Sequence, residues 1–438
     1  MVVIFLLILL VGAGPVQAER AEQEVLAKAQ AILNFLQEED YGQVLPYFQE
    51  ELRDQLGEKQ LQETWETLNM QVGNFQELLA IEISPVQEYK VVFLTCKFQA
   101  ANIDIQISFD PEGMVAGLFF NLSQYQGEYT VPPYVDEEKF EEEEIELGED
   151  PWTLPGLLTL PRGEGPWPAL IILGGSGPTD AQGTLGPNQP YRDLAWGLAG
   201  EGIAVLRFDK RTRAYSEEMG RKTDLTVEHE YIEDGLFALD YLKTREEIDQ
   251  GLIILGGHSQ GAMMVPRIAA RAEEAPAGLL FLAAPARRFE DLVLEQYQYL
   301  AELEEEITPE IEAQLQEIKE QVERIKDPDL APDWPAEELL GIPASYWLDL
   351  REYDQVQVAR ELDLPMLFIQ GGRDYQVTTE DFALWQEALA GRDDVEFVLL
   401  EDLNHIFHTG ETMAVPGEYL QQGHVALSVL ADILDWIK

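Results

Sequence analysis

From residue 151 onward the chain alternates between short, almost wholly apolar runs and segments of helical periodicity. The apolar runs are Ala169 to Leu173, Ile203 to Phe208, Leu252 to Leu255, Gly278 to Leu282, Met366 to Ile369 and Val395 to Leu400. Helical patterns separate or follow them at Tyr191 to Ala199, Val227 to Lys243, Gln260 to Ala272, Asp381 to Ala390 and His424 to Ile437. Strands this apolar have no polar face to show to water, so they must be covered on both sides. That requirement predicts an α/β domain over 151–438, a mostly parallel sheet with helices on both faces. One stretch breaks the alternation. Residues from about 287 to 345 insert roughly a helical hairpin's worth of chain between two strands. Within it Thr308-Pro309 is a helix start, and Ile311, Leu315, Ile318, Val322 and Ile325 form one narrow apolar stripe. Lying after the C-terminal end of a strand, the insertion is expected to act as a helical lid.

The chain ahead of this domain has a different pattern. Over 19–125, Leu26, Ala29, Ile32, Leu33 and Leu36 recur at helical spacing, and shorter helical patterns follow near Tyr47 to Leu56 and Leu61 to Leu68. Alternating or apolar runs come next at Leu78 to Ile83, Tyr89 to Phe98, Ile103 to Phe109 and Val115 to Leu122. Asp110-Pro111-Glu112-Gly113 supplies a turn between the last two. Helices followed by an antiparallel meander predict a small α+β domain. By its order of elements it resembles the cystatin-like or nuclear-transport-factor-like domains. Residues 126–150, with Val131-Pro132-Pro133 and the acidic run Glu137 to Glu144, read as an acidic linker or an exposed edge. At the start, the apolar run Val2 to Val11 precedes Gly12, Gly14 and Pro15 and then Val16-Gln17-Ala18. A hydrophobic core, a breaker and a small-residue cleavage site make a secretory signal peptide over 1–18, so export is expected. The run is too short to span a bilayer, and no later stretch offers a membrane helix, so no stable membrane insertion is expected.

Composition narrows the function. Of 438 residues, 82 are Asp or Glu against 29 Lys or Arg, a formal net charge of -53. A surface so acidic repels phosphate backbones and anionic head groups, which excludes nucleic-acid binding as a main role. Hydrophobic residues at 46% supply ample core material for several domains. The one cysteine, Cys96, lies in an apolar strand-like run, so neither an intrachain disulfide nor a thiolate metal cluster can form.

The segment Leu252-Ile253-Ile254-Leu255-Gly256-Gly257-His258-Ser259-Gln260-Gly261-Ala262-Met263 carries the chemistry. It reads as strand, Gly-x-Ser-x-Gly, helix. A nucleophilic serine must project from a sharp, strained turn, and the flanking glycines keep strand and helix from clashing there. The amide of Gln260 then faces the developing oxyanion from a helix N-terminus.

A serine nucleophile needs a base and an orienting acid, expected in the order Ser, acid, His. Among the 5 histidines, His405 follows the run Val395 to Leu400 by a short loop and is the favoured base. His408, in the same loop, is the alternative. His229 and His424 lie away from strand ends, and His258 is expected to serve packing. Asp374 stands at the tip of Leu364-Pro365-Met366-Leu367-Phe368-Ile369-Gln370-Gly371-Gly372-Arg373-Asp374, after a strand and a Gly-Gly turn, and is the expected acid. Asp402 and Asp363 are the alternatives. The Gly-rich turn Gly174-Gly175-Ser176-Gly177-Pro178 ends an earlier strand and offers the second oxyanion donor, the Ser176 amide, with that of Gly175 second. It lacks Walker and Rossmann spacing, so a nucleotide cofactor is not expected.

These residues resemble the α/β-hydrolases, and within them the bacterial lipolytic esterases and acyl hydrolases that carry a small domain ahead of the hydrolase. The resemblance rests on Gly174 to Asp180, Gly186 to Ala195, Arg207-Phe208-Asp209-Lys210-Arg211-Thr212, the elbow Gly257 to Gly261, Gln370 to Asp374, and His405. It covers about 125 to 438. It implies a serine carboxylesterase with a Ser259, His405, Asp374 triad, acting on small-molecule acyl esters with no metal or organic cofactor. Relatives often have His-Gly-Ser-Gly where this chain has Gly174-Gly175-Ser176-Gly177. Asp209, Lys210 and Arg211 are expected to form a structural salt-bridge cluster near the site. The same triad would serve a serine peptidase or an acyltransferase, and a binding role for the small domain is the rival of another class. The sequence carries no signal for an oligomeric state.

Overall fold

The computed structural model describes residues 15–86, 89–99, 101–123, 129–304 and 307–438. Most of the expected signal peptide, residues 1–14, lies outside them. The chain divides into two units, 1–127 and 128–438.

The first unit places α1 (Pro15–Gln37), α2 (Glu50–Gln55) and α3 (Glu58–Val72) ahead of four antiparallel strands: β1 (Phe75–Val86), β2 (Tyr89–Phe98), β3 (Asn102–Phe109) and β4 (Val115–Leu122). Pairing follows chain order, β1-β2-β3-β4, as in a meander. The helical spacing of Ala29, Ile32, Leu33 and Leu36 puts all four on one face, where they are buried with Ile103, Ile105, Ile107 and Phe109 of β3. Strand β3 alternates buried and half-buried residues, as expected of a sheet with only one face on a core. Trp65 of α3 meets Phe98 and Phe120 at ring-centroid distances of 5.7 and 6.0 Å and closes this core.

The second unit begins by correcting the expectation of an acidic linker over 126–150. Residues 140–147 are strand β5 (Phe140–Leu147), paired antiparallel with β6 (Leu154–Pro161). Phe140, Ile145 and Leu147 are buried while residues 141–144 are exposed. The acidic run is therefore the outward part of an edge strand, held by three apolar anchors. Next come β7 (Trp167–Leu173), α4 (Pro190–Gly200), β8 (Ala204–Phe208), the short helices α5 (Arg211–Ala214) and α6 (Ser216–Gly220), and α7 (Glu233–Lys243). The chain continues through β9 (Ile248–His258), α8 (Gln260–Arg271) and β10 (Gly278–Leu282). The last sheet elements are β11 (Met366–Gly371), α13 (Thr379–Ala388), β12 (Val395–Leu400) and α14 (Leu427–Ile437).

The eight-stranded sheet runs β12-β11-β10-β9-β7-β8-β6-β5. It is parallel from β12 through β8 and antiparallel at β6 and β5. Successive side chains of a strand point to opposite faces. Accordingly Ile171, Leu255, Phe281 and Phe368 enter one apolar layer with Leu239 of α7, Ile268 of α8 and Trp385 of α13. Leu170, Ile254, Leu280 and Leu367 enter the other, with Leu194 of α4 and Ile433 of α14. Strands β8, β10 and β11 are buried along their whole length, as their composition requires. This is the α/β-hydrolase architecture.

The insertion between β10 and β11 is longer than the hairpin expected over 287–345. It holds α9 (Phe289–Glu302), α10 (Pro309–Ile325), α11 (Ala344–Glu352) and α12 (Gln355–Glu361). Thr308 caps α10, its hydroxyl accepting from the Ile311 amide, and Val322 and Ile325 of the narrow stripe are buried. No helix among the described residues is long and apolar enough to cross a membrane.

Candidate active site

Strand β9 ends at His258 and α8 begins at Gln260, leaving Ser259 alone at the turn with φ +55° and ψ -125°. A side chain rarely adopts this backbone, and such strain is found where the surrounding structure imposes it. Here the strand and helix impose it. A Cβ on Gly257 would fall 2.5 Å from the Gly261 carbonyl carbon, and one on Gly261 would overlap the backbone carbonyls of Leu173 and Gly174. Both glycines of Gly-x-Ser-x-Gly are thus required by contact. The Ser259 amide donates to Leu282 O of β10 at 2.9 Å, which ties the turn to the sheet. Gln260 is the first residue of α8, where backbone amides have no intrahelical acceptor.

Asp374 and His405 meet as expected. Strand β11 ends in Gly371-Gly372, and a Cβ on either glycine would collide with the backbone of residues 401–404, so the two loops lie against each other. His405 Nδ1 donates to Asp374 Oδ2 at 2.6 Å. The other carboxylate oxygen, Oδ1, accepts from the amides of Gln376 (2.8 Å) and Val377 (3.1 Å). Gln370 Nε2 adds a donor to Oδ2 at 3.3 Å. Asp374 is fully buried and held as an acceptor from both sides, which fixes the tautomer of His405 with Nε2 free to take a proton. Asn404 shapes the base's loop, its Oδ1 accepting from the amides of Ile406 (3.2 Å) and His408 (3.0 Å).

The structure separates the alternatives. His408 makes no bond to an acidic side chain among the described residues; its burial pushes its pKa down to about 4. His229 Nδ1 bonds at Thr226, and His424 lies 3.3 Å from Asp193. Asp363 and Asp402 make no side-chain bond to a histidine among the described residues.

The turn Gly174 to Gly177 lies against the elbow, since a Cβ on Gly175 would sit 3.3 Å from Ser259 Cβ. The Gly175 amide is not available to an oxyanion, because it donates to the Tyr191 hydroxyl at 2.9 Å. The Ser176 amide makes no hydrogen bond among the described residues. Gly174, where relatives often carry histidine, has its Cβ position filled by the Thr179 side chain, with Lys210 Cδ 3.6 Å away.

His258 does more than pack. Its Nε2 lies 2.8 Å from His405 O, which can only accept, so Nε2 carries the proton. Nδ1 is then an acceptor for the Tyr191 hydroxyl at 3.0 Å. A chain of donors runs from the Gly175 amide through Tyr191 and His258 to the backbone of His405. Burial and the neighbouring His405 push the His258 pKa down to about 3, so it stays neutral. The two imidazoles lie 4.6 Å apart, centroid to centroid.

Of Asp209, Lys210 and Arg211, expected as a structural salt-bridge cluster, Lys210 and Arg211 do enter ion pairs, Lys210 with Glu230 at 3.0 Å, while Asp209 makes none among the described residues. Asp209 accepts from the Ala181 amide at 2.7 Å, and Arg211 pairs with Asp234 and Glu233. Lys210 also points under the turn Gly174 to Gly177, donating to Gly175 O (2.9 Å) and Gly177 O (2.8 Å). Among the described residues no group of three or more His, Cys, Asp and Glu could hold a metal ion.

With this geometry in view, comparisons with known proteins give a consistent picture. Residues 188–412 match the family described as serine aminopeptidase, S33. Residues 29–118 match a family described only as a protein of unknown function (DUF3887). The chain is 39% identical over 402 residues to the esterase EstD of Thermotoga maritima, covering 92% of each protein. Among solved structures, an esterase of Pyrococcus furiosus aligns at 17% identity and a TM-score of 0.43, over 73% of this chain and 100% of that one. Est1E of Butyrivibrio proteoclasticus aligns at 18% and 0.44, over 67% and 98%.

Proposed function

The chain belongs to the S33 family of serine hydrolases, and from that premise we propose that it is a carboxylesterase acting on short-to-medium acyl esters through Ser259, His405 and Asp374. The observation that carries the reading is the 2.6 Å His405–Asp374 bond, with the His405 ring 4.6 Å from that of His258, the residue that precedes a strained Ser259. The similarity to EstD supports an ester as the substrate class.

In this reading His405 Nε2 accepts the Ser259 proton as Oγ attacks the ester carbonyl, and Asp374 stabilises the imidazolium. The amides of Ser176 and Gln260 receive the oxyanion. His405 then returns the proton to the departing alkoxide, leaving an acyl-enzyme. Water, deprotonated by His405, attacks the acyl carbon, and collapse of the second tetrahedral intermediate releases the acid and restores Ser259. Ser259 Oγ makes no hydrogen bond among the described residues, so the nucleophile–base contact is one that substrate binding completes.

Purified enzyme is expected to turn over nitrophenyl esters in a series from acetyl to palmitoyl. Ser259→Ala should lower kcat by about 10⁶-fold with melting nearly unchanged, and a variant retaining most of its activity would end the assignment. The family description favours one second reading, an aminopeptidase. Turnover of aminoacyl nitroanilides with silence on every ester, both lost in Ser259→Ala, would select it. We also propose export, on the apolar run Val2 to Val11 and the small residues after it. A secreted product whose N-terminus is near Glu19 is the expected finding.

A further inference from the structure

Lys210 is 2% exposed, and burying an ammonium group is costly unless it is well paired. Two of its partners are carbonyls of the oxyanion loop, and one of these belongs to the Gly175–Ser176 peptide. Lys210 Nζ donates to Gly175 O at 2.9 Å and to Gly177 O at 2.8 Å, pairs with Glu230 at 3.0 Å, and contacts the Tyr231 hydroxyl at 2.6 Å. The Tyr231 hydroxyl also lies 2.8 Å from Gly175 O. The carbonyl of Gly175 and the N–H of Ser176 belong to the same planar peptide group. A cation on that carbonyl withdraws charge through the group and makes its N–H a stronger donor, as in any chain of hydrogen bonds.

The second proposed donor is tied to the same charge. Gln260 Oε1 lies 3.1 Å from the Tyr231 hydroxyl, and Gln260 Nε2 donates to the Tyr346 hydroxyl at 3.0 Å. Tyr346 comes from α11 of the insertion and donates to Glu230 Oε2 at 2.5 Å, while Thr212 donates to Glu230 Oε1 at 2.8 Å. Residues 228–232 form a widened π turn, and in it the consecutive Glu230 and Tyr231 both reach Lys210. Meanwhile the Gly175 amide is held from the other side by Tyr191. Gly175 is therefore fixed at both its N–H and its C=O, which leaves the Ser176 N–H as the loop's unspent donor.

We propose that Lys210 is a positioning residue for catalysis, a buried cation that orients and polarises the Gly175–Ser176 peptide so that the Ser176 N–H stabilises the oxyanion, with Tyr231 as its relay. This rests on the reading of Ser259 as nucleophile and Ser176 as oxyanion donor. Lys210 touches neither substrate nor the reacting atoms; it acts at the far end of one peptide bond.

The test compares Lys210→Met with the parent and Ser259→Ala in the full chain, reading kcat and KM on a nitrophenyl ester and affinity for a trifluoromethyl ketone of the same acyl length. Addition of Ser259 to the ketone forms an oxyanion, whereas the ground-state ester has none. Removing one oxyanion donor outright costs about 10²–10³ in kcat. Losing its polarising cation should cost about 10- to 100-fold in kcat and weaken the ketone by a similar factor, with KM within about threefold. A purely structural lysine would alter melting or KM and leave the ketone's affinity, per folded enzyme, where it was. A folded Lys210→Met with kcat and ketone affinity within twofold of the parent overturns the proposal, even though Ser259→Ala is inactive. If Lys210→Met does not fold, Tyr231→Phe, which deletes only a hydroxyl, takes its place. It is expected to lose about 3- to 10-fold in kcat and ketone affinity together, and no loss in either overturns the proposal. A parent silent on every ester would instead bring down the esterase reading beneath it.

Discussion

The two units of this chain bury polar groups in opposite ways. In the first, the buried polar residues among those described are Thr95, Asn102 and Asp110, all on the sheet or its turn, while the rest of the core is aliphatic and aromatic. In the second, Arg207, Lys210, Arg211, Glu230, Asp234, His258, Asp374 and His405 are all buried. Each buried charge carries a desolvation cost that only a well-made partner offsets. The first unit is held together by the general tendency of apolar surface to leave water. The second spends much of that stabilisation on keeping a few dipoles and charges in fixed places around one turn. The lesson is that both units have apolar cores, but the buried charges of this chain are concentrated in the second.

The comparison breaks first at the triad. Asp374→Asn should leave β11 and its loop in place but let His405 take the wrong tautomer, lowering kcat by roughly 10⁴-fold. Steady-state kinetics with circular dichroism would check this, and a loss below tenfold would mean that Asp374 is not the orienting acid. Next in size is the core of the first unit. Trp65→Ala removes an indole that is 3% exposed and packed on two phenylalanines, and should cost about 3–5 kcal/mol in the unfolding of that unit. Urea titration followed by proteolysis of the first unit would measure it, with ester kcat per folded site unchanged if the division of labour holds.

A smaller effect separates the units by pH. His258 and His408 have folded pKa values pushed down to about 3 and about 4, against about 6.5 when unfolded. Below pH 6.5 the unfolded chain therefore binds protons that the folded chain refuses, so stability falls as the pH drops toward 4. Asp234 acts in the opposite sense, because burial raises its pKa to about 6 despite the Arg211 partner, and the folded state gains protons there first. Burial raises Asp193, Asp209 and Asp432 as well, and they act in the same sense as Asp234, so the share of the histidines is read by difference from their variants. On going from pH 6.5 to 4, His258→Asn should lose less melting temperature, or gain more, than the parent, and an unchanged profile would show that His258 is not held neutral. The smallest effect is chemical. Burial pushes the Cys96 thiol up to about 12, so iodoacetamide at pH 8 should leave the folded protein unlabelled, and labelling without denaturant would show that this core opens.

The parts of the site that could be read from sequence are those with local rules. Ser259 was legible because strand, Gly-x-Ser-x-Gly and helix are contiguous, and the contacts of Gly257 and Gly261 explain why no other residue fits. Asp374 and His405 were legible because each follows a strand end at the expected place in the chain. The apolar strands announced the covered sheet for the same reason. What could not be read depends on partners far apart in sequence. Tyr191 meets Gly175 and His258, Lys210 reaches back 35 positions to Gly175, and Tyr346 comes 116 positions after Glu230. No periodicity marks such residues, and a structural salt-bridge cluster was the expectation for Lys210, without its bonds to the Gly175 and Gly177 carbonyls. The acidic stretch before β6 read as either a linker or an exposed edge, because its glutamates outnumber the three apolar residues that hold it in the sheet, and the edge is what it forms.

That stretch has a consequence for how the molecule meets others of its kind. Among the described residues β5 pairs with no strand but β6, so its outer edge has no strand partner. Along that border Glu141, Glu143 and Glu144 are exposed, and Glu142 reaches back to Arg207. A second copy docking there in antiparallel register would set glutamate against glutamate, in water and at close range. The border thus works as a fence: it lets the sheet end in the open without becoming the first rung of an aggregate.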